Sequence, residues 1–396
     1  MIDLEKIPLK AIVATVDAGR DAGGGHDEAD EAEASLDELV LLLSNLGVET
    51  LGRAVQRRRS PDPGVYIGRG KALEIKEFAA QVGANLLVID GALTPTQRSN
   101  LKKLTALDIW DRAYTIMMIF EQRAVTAEAK LQVELAQLRY EIPSLKGLGH
   151  QMSRLGGGIG TRGPGETEFE RHRRKLERRI KFIERSLKDV TRRRGEHRYR
   201  RARSGLPVVS LVGYTNGGKS TLLRALSRDA GIAGEDKLFA TLDTVTRRID
   251  LPDCPQDAFM LSDTVGFIRH LPTELIAAFR ATLEEVTAAD LLILVLDASD
   301  PEPMRSYEIV RATLEQIGAG EVPRIVAVNK IDRAREESVF VAAGLSGLGG
   351  LGELGEQGEE VARISALRGE GLRELVSMTA DRLRHIRKAR SEELCT

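Results

Sequence analysis

The chain has 396 residues, of which 42% are hydrophobic and 30% charged, and its formal net charge is −1. This length predicts two or three domains rather than a single core. There is no apolar run long enough to cross a membrane, no signal-peptide pattern at residues 1–6 and no metal-ligand spacing of the two cysteines, so we expect a cytoplasmic, soluble protein.

The start of the chain is acidic. Eight of the residues between 21 and 38 are Asp or Glu, and they are interspersed with Gly and Ala. Such a composition is typical of a solvated segment. We therefore interpret residues 1–34 as an acidic flexible tail that runs into the first helix.

Residues 35–155 alternate helical and extended patterns. Helical patterns occupy 36–46 and 71–81 and begin again near 94–95, and a long helix is expected at about 127–140. Extended patterns occupy 50–56, 65–68, 85–90 and 109–110. Strands that alternate with helices indicate a small α/β domain with a mostly parallel sheet.

Residues 156–203 combine glycine with positive charge. Residues 156–165 are glycine-rich and predict a flexible loop. Arg162 and backbone N–H groups could meet RNA phosphates there, but mobility alone would explain the composition equally well. Between 171 and 203 there are 16 Lys or Arg residues and four acids. Apolar residues recur there at helical spacing, although Gly195 could break the helix. We predict a basic helix that offers one face to RNA, in preference to a merely solvated helix.

A phosphate-loop motif follows an apolar, strand-like run at 206–212 and precedes a helix-like segment. Glycines let the backbone wrap a phosphate chain, and the helix adds its positive end. Lys219 would reach the β- and γ-phosphates, and the Ser220 hydroxyl would ligate Mg²⁺. A glycine-rich turn without a ligand is the weaker alternative. The predicted contacts are Gly213, Tyr214, Thr215, Asn216, Gly217, Gly218, Lys219, Ser220 and Thr221.

A second motif ends a predicted strand about 50 residues later. The carboxylate of Asp263 would hold Mg²⁺ through water, and the backbone N–H of Gly266 would sense the γ-phosphate. The motif consists of Asp263, Thr264, Val265 and Gly266.

A third motif, which also follows a strand, predicts which nucleotide base is bound. The Asp332 carboxylate can accept hydrogen bonds from N1–H and N2–H₂ of guanine, whereas adenine would leave it unpaired. A later loop would place a backbone N–H at guanine O6. These motifs, which predict GTP as the nucleotide, are Asn329, Lys330, Ile331 and Asp332, and then Ser365, Ala366 and Leu367.

The segment between the first two motifs has the position of a switch loop, whose conformation depends on the bound nucleotide. Thr241 is our candidate for a Mg²⁺ ligand that binds only while the γ-phosphate is present, with Thr244 and Thr246 as rivals. All three threonines would also suit a strand. The predicted contacts in this segment are Phe239, Ala240, Thr241, Leu242 and Asp243.

Phe267 follows Gly266, where well-known GTPases have a water-orienting glutamine. A phenylalanine cannot orient water, so we expect slow intrinsic hydrolysis that needs help from another residue, a cation or a partner. Lys219, Thr241 and Gly266 are the catalytic candidates. Asn216 either helps to hold a K⁺ ion at the phosphates or braces the loop, and both roles stay open.

These motifs together resemble the HflX family of translational GTPases, within the Obg–HflX group. The resemblance covers nearly the whole chain, because residues 66–71, 123–138 and 162–167 resemble the upstream domains of that family. It implies a P-loop GTPase domain with a mostly parallel sheet, preceded by a small α/β domain and a basic helical hairpin. Two departures are Gly217, where the family has a slightly larger residue, and a Gly-, Leu- and Glu-rich insertion at 344–360.

The resemblance implies a monomeric cytoplasmic GTPase that binds the large (50S) ribosomal subunit and its RNA, and neither DNA nor membranes. It would act in ribosome splitting, rescue or biogenesis. The alternative function is a nucleotide-sensing RNA-binding module with negligible turnover. We divide the chain into the tail, an α/β domain at 35–155, the basic segment at 156–203, a GTPase domain at 204–385 and a C-terminal tail at 386–396.

Overall fold

A computed structural model describes residues 8–17, 27–155, 164–203, 206–227, 245–251, 257–269, 280–334 and 360–393. The chain divides into two compact units, the first comprising residues 1–122 and 130–186 and the second residues 123–129 and 187–396. Within the described part of the chain, no helix is both long and apolar enough to cross a membrane.

The first unit begins with four parallel strands among its described residues, in the order β2-β1-β3-β4. One layer of its core packs Ile12 and Leu87 from the sheet against Ile75 and Leu101 from two helices. The strands are β1 (Lys10–Asp17), β2 (Glu49–Arg57), β3 (Leu86–Ile89) and β4 (Asp108–Asp111). The helices are α1 (Asp27–Asn45), α2 (Arg69–Val82), α3 (Pro95–Thr105) and α4 (Arg112–Arg123).

The prediction of a flexible tail over residues 1–34 is wrong in two places. Residues Lys10–Asp17 form β1, which lies between β2 and β3, and Ile12, Val13 and Ala14 are completely buried. Helix α1 begins at Asp27, so seven of the eight acids that suggested a tail lie within this helix. An apolar run of four residues, 11–14, followed by Thr15 and Val16, was the overlooked signal.

Residues 65–68 are not a strand either. The backbone turns at Tyr66, whose φ is +62°. Tyr66 and Asp62 form an isolated antiparallel β-bridge. The Asp62 carboxylate accepts from the backbone N–H groups of Gly64 and Val65, at 2.8 and 3.1 Å. This local hydrogen bonding replaces a sheet partner.

Two long helices follow, α5 (Ala127–Leu155) and α6 (Pro164–Arg203). Ion pairs join them within the first unit, at 2.6 Å between Arg179 and Glu134 and at 2.8 Å between Arg139 and Glu184. Helix α6 continues through Gly195, so the predicted break does not occur. A single glycine costs a helix only about 1 kcal/mol, which a 40-residue helix tolerates.

The second unit holds a sheet of six strands among its described residues, in the order β10-β9-β8-β5-β7-β6. Neighbouring strands are parallel, except that β6 is antiparallel to β7. The α/β class with mostly parallel sheets is therefore confirmed. The strands are β5 (Val208–Gly213), β6 (Val245–Ile249), β7 (Phe259–Asp263), β8 (Leu291–Asp297), β9 (Arg324–Asn329) and β10 (Glu360–Arg363).

Helices cover both faces of this sheet. Alternate residues of β8 enter two separate cores, Leu292 and Leu294 in one and Leu291 and Ile293 in the other. Burial on both faces explains why the strands are almost continuously apolar. The described helices are α7 (Lys219–Ser227), α8 (Arg280–Thr287), α9 (Pro303–Gln316) and α10 (Leu372–Glu393).

Helix α10 also corrects a boundary, because residues 386–393 continue it and are not a tail. Two further bounds are corrected, because residues 164–165 of the predicted loop begin α6 and residue 360 of the predicted insertion begins β10. The rest of that loop (156–163) and of that insertion (344–359), the switch contacts at 239–243 with Thr244, and residues 394–396 lie outside the described residues.

Candidate functional site

The site residues lie at one edge of the second sheet. Strands β5, β7, β8, β9 and β10 are mutually parallel, so their carboxyl ends meet at that edge. Ligands of open α/β sheets bind in this position. The structure therefore brings together the loops at 213–220, 263–267, 329–332 and 365–367, which are separated in the sequence by as many as 145 positions (220 to 365).

Lys219 is the centre of the phosphate loop. Its ammonium group is buried and donates to the carbonyls of Gly213 and Tyr214, at 3.0 and 2.8 Å. Burial lowers the pKa of Lys219 from 10.5 to about 8, and the nearby Asp263 carboxylate opposes that shift only in part. A bound phosphate chain would supply the missing negative charge.

Two glycines of the loop sit in confined places. Gly218 has a φ of +95°, and a Cβ there would collide with Nδ2 of Asn329. A Cβ at Gly217 would lie 3.3 Å from the carbonyl oxygens of Tyr214 and Val295. The loop can therefore approach the neighbouring strands only because these positions lack side chains. That Gly217 loosens the loop stays a prediction.

Ser220 and Asp263 form a candidate metal site. The Ser220 hydroxyl donates to Oδ2 of Asp263 at 2.6 Å, and Asp263 is buried. Hydroxyl and carboxylate oxygens are the donors that Mg²⁺ prefers. The residues present therefore fit that ion, whereas Thr241 lies outside the described residues.

The loop after β7 is fastened to the phosphate loop by its backbone. The N–H of Phe267 donates to Gly213 at 3.0 Å, and the N–H of Thr215 donates to Phe267 at 2.8 Å. The Phe267 side chain is buried in the core with Val212 and Leu294. Phe267 thus anchors the loop, and its ring does not enter the phosphate site.

Asn329 connects three loops. Its Nδ2 donates to the carbonyl of Gly217 at 2.9 Å, and its Oδ1 accepts from the N–H of Ala366 at 2.9 Å. The side chain thereby holds the phosphate loop and the loop at 365–367 in fixed positions beside the base motif.

Asp332 is held as an anion. Ser365 donates its hydroxyl to Oδ1 of Asp332 at 2.7 Å, and the guanidinium Nε of Arg368 lies 3.7 Å from Oδ2. The hydrogen bond from Ser365 is the main cause that lowers the pKa of Asp332. An ionised carboxylate is the form that accepts both guanine donors.

Asp297 was missed by the sequence analysis. It ends β8 directly opposite Asn329 of β9, and its Oδ2 accepts from the ammonium group of Lys330 at 2.6 Å. Its other oxygen accepts from the backbone N–H of Ser299 at 2.8 Å. Its position at the end of an apolar, strand-like run could have identified Asp297 as a site residue from the sequence.

A parallel sheet that carries a phosphate loop, a Ser–Asp metal pair and a guanine-type Asp at one edge defines a P-loop GTPase. Four family models match the chain: "GTP-binding GTPase N-terminal" at residues 33–121, "GTP-binding GTPase Middle Region" at 123–201, "50S ribosome-binding GTPase" at 208–330 and "Elongation factor Tu GTP binding domain" at 278–385.

Relatives named GTPase HflX resemble the chain over most of its length. The protein of Lacrimispora saccharolytica is 42% identical over 97% of this chain and 85% of its own. That of Escherichia coli K12 is 46% identical over 76% of this chain and 70% of its own. The chain therefore belongs to the HflX family of GTPases and is a GTP hydrolase.

A GTP-binding protein of Sulfolobus solfataricus, solved with GDP, aligns with 96% of this chain and all of its own at 23% identity. The TM-score of this alignment is 0.45.

Proposed function

We propose that this GTPase binds the large ribosomal subunit and acts in ribosome splitting, rescue or biogenesis in the cytoplasm. The observation that supports it most is the match of residues 208–330 to the family described as 50S ribosome-binding GTPases. The basic character of α6 supports the same partner, because ribosomal RNA is a dense polyanion.

Helix α6 supplies exposed cations for that contact. Lys181 and Arg185 are both exposed and lie four residues apart, so they share one face of the helix. Their neighbours Arg173 and Arg174 are also exposed, although Glu177 and Glu170 partly neutralise them at 2.7 Å. A row of cations on one face suits the phosphates of a folded RNA.

In the catalytic site, Lys219 would bind the β- and γ-phosphates, and Asp332 would accept from guanine. Ser220 and Asp263 would hold Mg²⁺, which when bound would offset the negative charge of the phosphates. GTP would order the switch through Thr241 and Gly266, and hydrolysis would release the protein from the subunit.

A K⁺ ion is a proposed second cation. Asn216 is exposed at the tip of the phosphate loop with a φ of +61°, and its side chain makes no hydrogen bond to another described residue. This leaves its amide oxygen available to a cation beside the phosphates. Hydrolysis measured in K⁺ and in Na⁺ tests this role.

The function as an RNA-binding module without turnover is not favoured, because the chain belongs to a family of GTP hydrolases. We expect a monomer that binds neither DNA nor membranes.

Cosedimentation with 50S subunits tests the proposed partner. We expect binding with a non-hydrolysable GTP analogue and weak binding with GDP, since only the γ-phosphate orders the switch. Changing Lys181 and Arg185 together to Ala should weaken binding and reduce its salt dependence. The matched control changes two exposed cations of α10, Arg373 and Lys388, to Ala. Equal binding in both nucleotide states would contradict the proposal.

A further inference from the structure

The hydroxyl of Thr215 is a buried polar group without a partner. Thr215 is 5% exposed, and its Oγ1 makes no hydrogen bond to any described residue. Folded proteins rarely leave such an atom unsatisfied, because its loss of water is then uncompensated. A ligand that enters the site is one way to satisfy it. We propose that Thr215 is a catalytic residue of GTP hydrolysis, whose hydroxyl orients the attacking water at the γ-phosphate.

The position of Thr215 is fixed by the backbone. Its N–H donates to Phe267, whose own N–H donates to Gly213, so two backbone hydrogen bonds join the phosphate loop to the residue that follows Gly266. A third bond, from the N–H of Arg269 to the hydroxyl of Tyr214 at 2.9 Å, reinforces the junction. Thr215 therefore cannot move away from Gly266 without breaking this backbone pairing.

The side chain of Thr215 lies against Gly266, the residue predicted to sense the γ-phosphate, with its methyl group nearest. A Cβ at Gly266 would be 2.9 Å from Cγ2 of Thr215 and 3.1 Å from Nζ of Lys219. Thr215 and Lys219 thus flank Gly266 at nearly equal distances. Because Lys219 binds the γ-phosphate in P-loop enzymes, a bound γ-phosphate would lie near Thr215 as well.

The site needs such a group. Phe267 points into the core, so it does not contact the attacking water. Ser220 and Asp263 are bonded to each other and suit the metal ion. Thr215 carries a hydroxyl with both a donor and an acceptor function, which suffices to position one water molecule.

The reaction requires no change in Thr215. The water oxygen attacks the γ-phosphorus while the bond from that phosphorus to the β–γ bridging oxygen breaks. The electron pair of the broken bond leaves with GDP, and a proton of the water passes to an oxygen of the γ-phosphoryl group, which gives inorganic phosphate. Thr215 accepts a hydrogen bond from the water and donates one to a γ-phosphoryl oxygen, so it contributes by positioning the nucleophile.

The substitution Thr215→Val tests this role, because valine has the same shape and lacks the hydroxyl. Hydrolysis is followed in single turnovers with enzyme in excess and without ribosomes, so the result is independent of the proposed partner. We expect the rate constant to fall at least about tenfold in Thr215→Val and to change less than about threefold in Thr215→Ser. The affinities for GDP and for a non-hydrolysable GTP analogue should stay within about twofold in both variants.

Thr313→Val on α9 is the matched control, since it also removes a buried hydroxyl, one that donates to the carbonyl of Ile309 at 2.7 Å. If Thr215→Val does not fold, Thr215→Ala provides the variant without a hydroxyl. An unchanged rate constant in the folded variant overturns the proposal. So does a loss of affinity for the GTP analogue as large as the loss of rate, because Thr215 would then bind substrate without acting in the reaction.

Discussion

Ser365 and Arg368 keep the Asp332 carboxylate ionised at the position that guanine would occupy. In Asp332→Asn, the amide loses one acceptor and gains a donor, which suits the oxygen at C2 of xanthine and not the amine of guanine. We expect the affinity for GDP to fall roughly 100-fold and that for xanthosine diphosphate to rise. Displacement of a fluorescent nucleotide measures both, and an unchanged GDP affinity would show that Asp332 does not contact the base.

Lys219 makes nucleotide binding dependent on pH. Its pKa is about 8 in the free protein, and bound phosphates should raise it, so binding takes up a proton above about pH 8. We expect an affinity for the GTP analogue that is flat below pH 8 and decreases above it, by up to about tenfold per pH unit. Calorimetry between about pH 7 and pH 9 measures this, with Lys219→Ala as the control. An affinity that does not change with pH would contradict the buried, deprotonating lysine.

The stability of the free protein should follow the opposite trend. The folded-state pKa of Lys219 lies below its ordinary value of 10.5, so the unfolded chain binds more protons between about 8 and 10.5. The contribution of Lys219 to the free energy of unfolding is therefore lowest below about pH 8 and increases as the pH rises from about 8 to about 10.5.

Much of the site could be predicted from the sequence, because its residues occur in contiguous motifs. The phosphate loop and the base motif each place several required residue types within eight positions. The ion pair of Asp297 with Lys330 and the core position of Phe267 could not be inferred in that way, because both depend on which strands are neighbours. That the Thr215 hydroxyl has no hydrogen-bond partner among the described residues also could not be inferred, because it depends on contacts between loops that are distant in the sequence.

At the scale of elements, strand β1 is a structural requirement of the first unit. Ile12 is completely buried within it, whereas Val55 of the edge strand β2 is 38% exposed. We expect Ile12→Ala to lower the free energy of unfolding by about 2–5 kcal/mol. Val55→Ala, the control, should cost less than about 1 kcal/mol.

The chain offers a specific probe for this comparison. Trp110, the single tryptophan of the chain, lies in β4 of the same sheet, so its fluorescence during urea unfolding reports on the first unit. Equal midpoints for Ile12→Ala and Val55→Ala would contradict the central position of β1.

Elements were predicted well where apolar periodicity was strong. The strands expected before the second and third motifs are present, at 259–263 and 324–329, because burial on both faces makes each an almost continuous apolar run. Errors arose where charge obscured that pattern, as beside β1 and at the start of α1. The end of α10 was misplaced for the same reason, since its last turns are rich in charge and lack a stop signal.

At the scale of the whole molecule, a net charge of −1 conceals segregated charge, with acids in α1 and cations in α6. Helix α6 contributes residues to both units, so the basic surface is continuous in sequence with the GTPase sheet. This organisation suits an enzyme whose RNA contacts and nucleotide state depend on each other.

The rate of GTP hydrolysis with and without 50S subunits is the decisive measurement for the proposed ribosomal function. Because Phe267 is an anchor in the core and not a water-orienting group, intrinsic turnover should be slow. We expect saturating 50S subunits to raise the rate constant at least about tenfold, 30S subunits to have little effect, and high salt to reduce the stimulation. The same rate constant with and without saturating 50S subunits would contradict a ribosome-dependent GTPase.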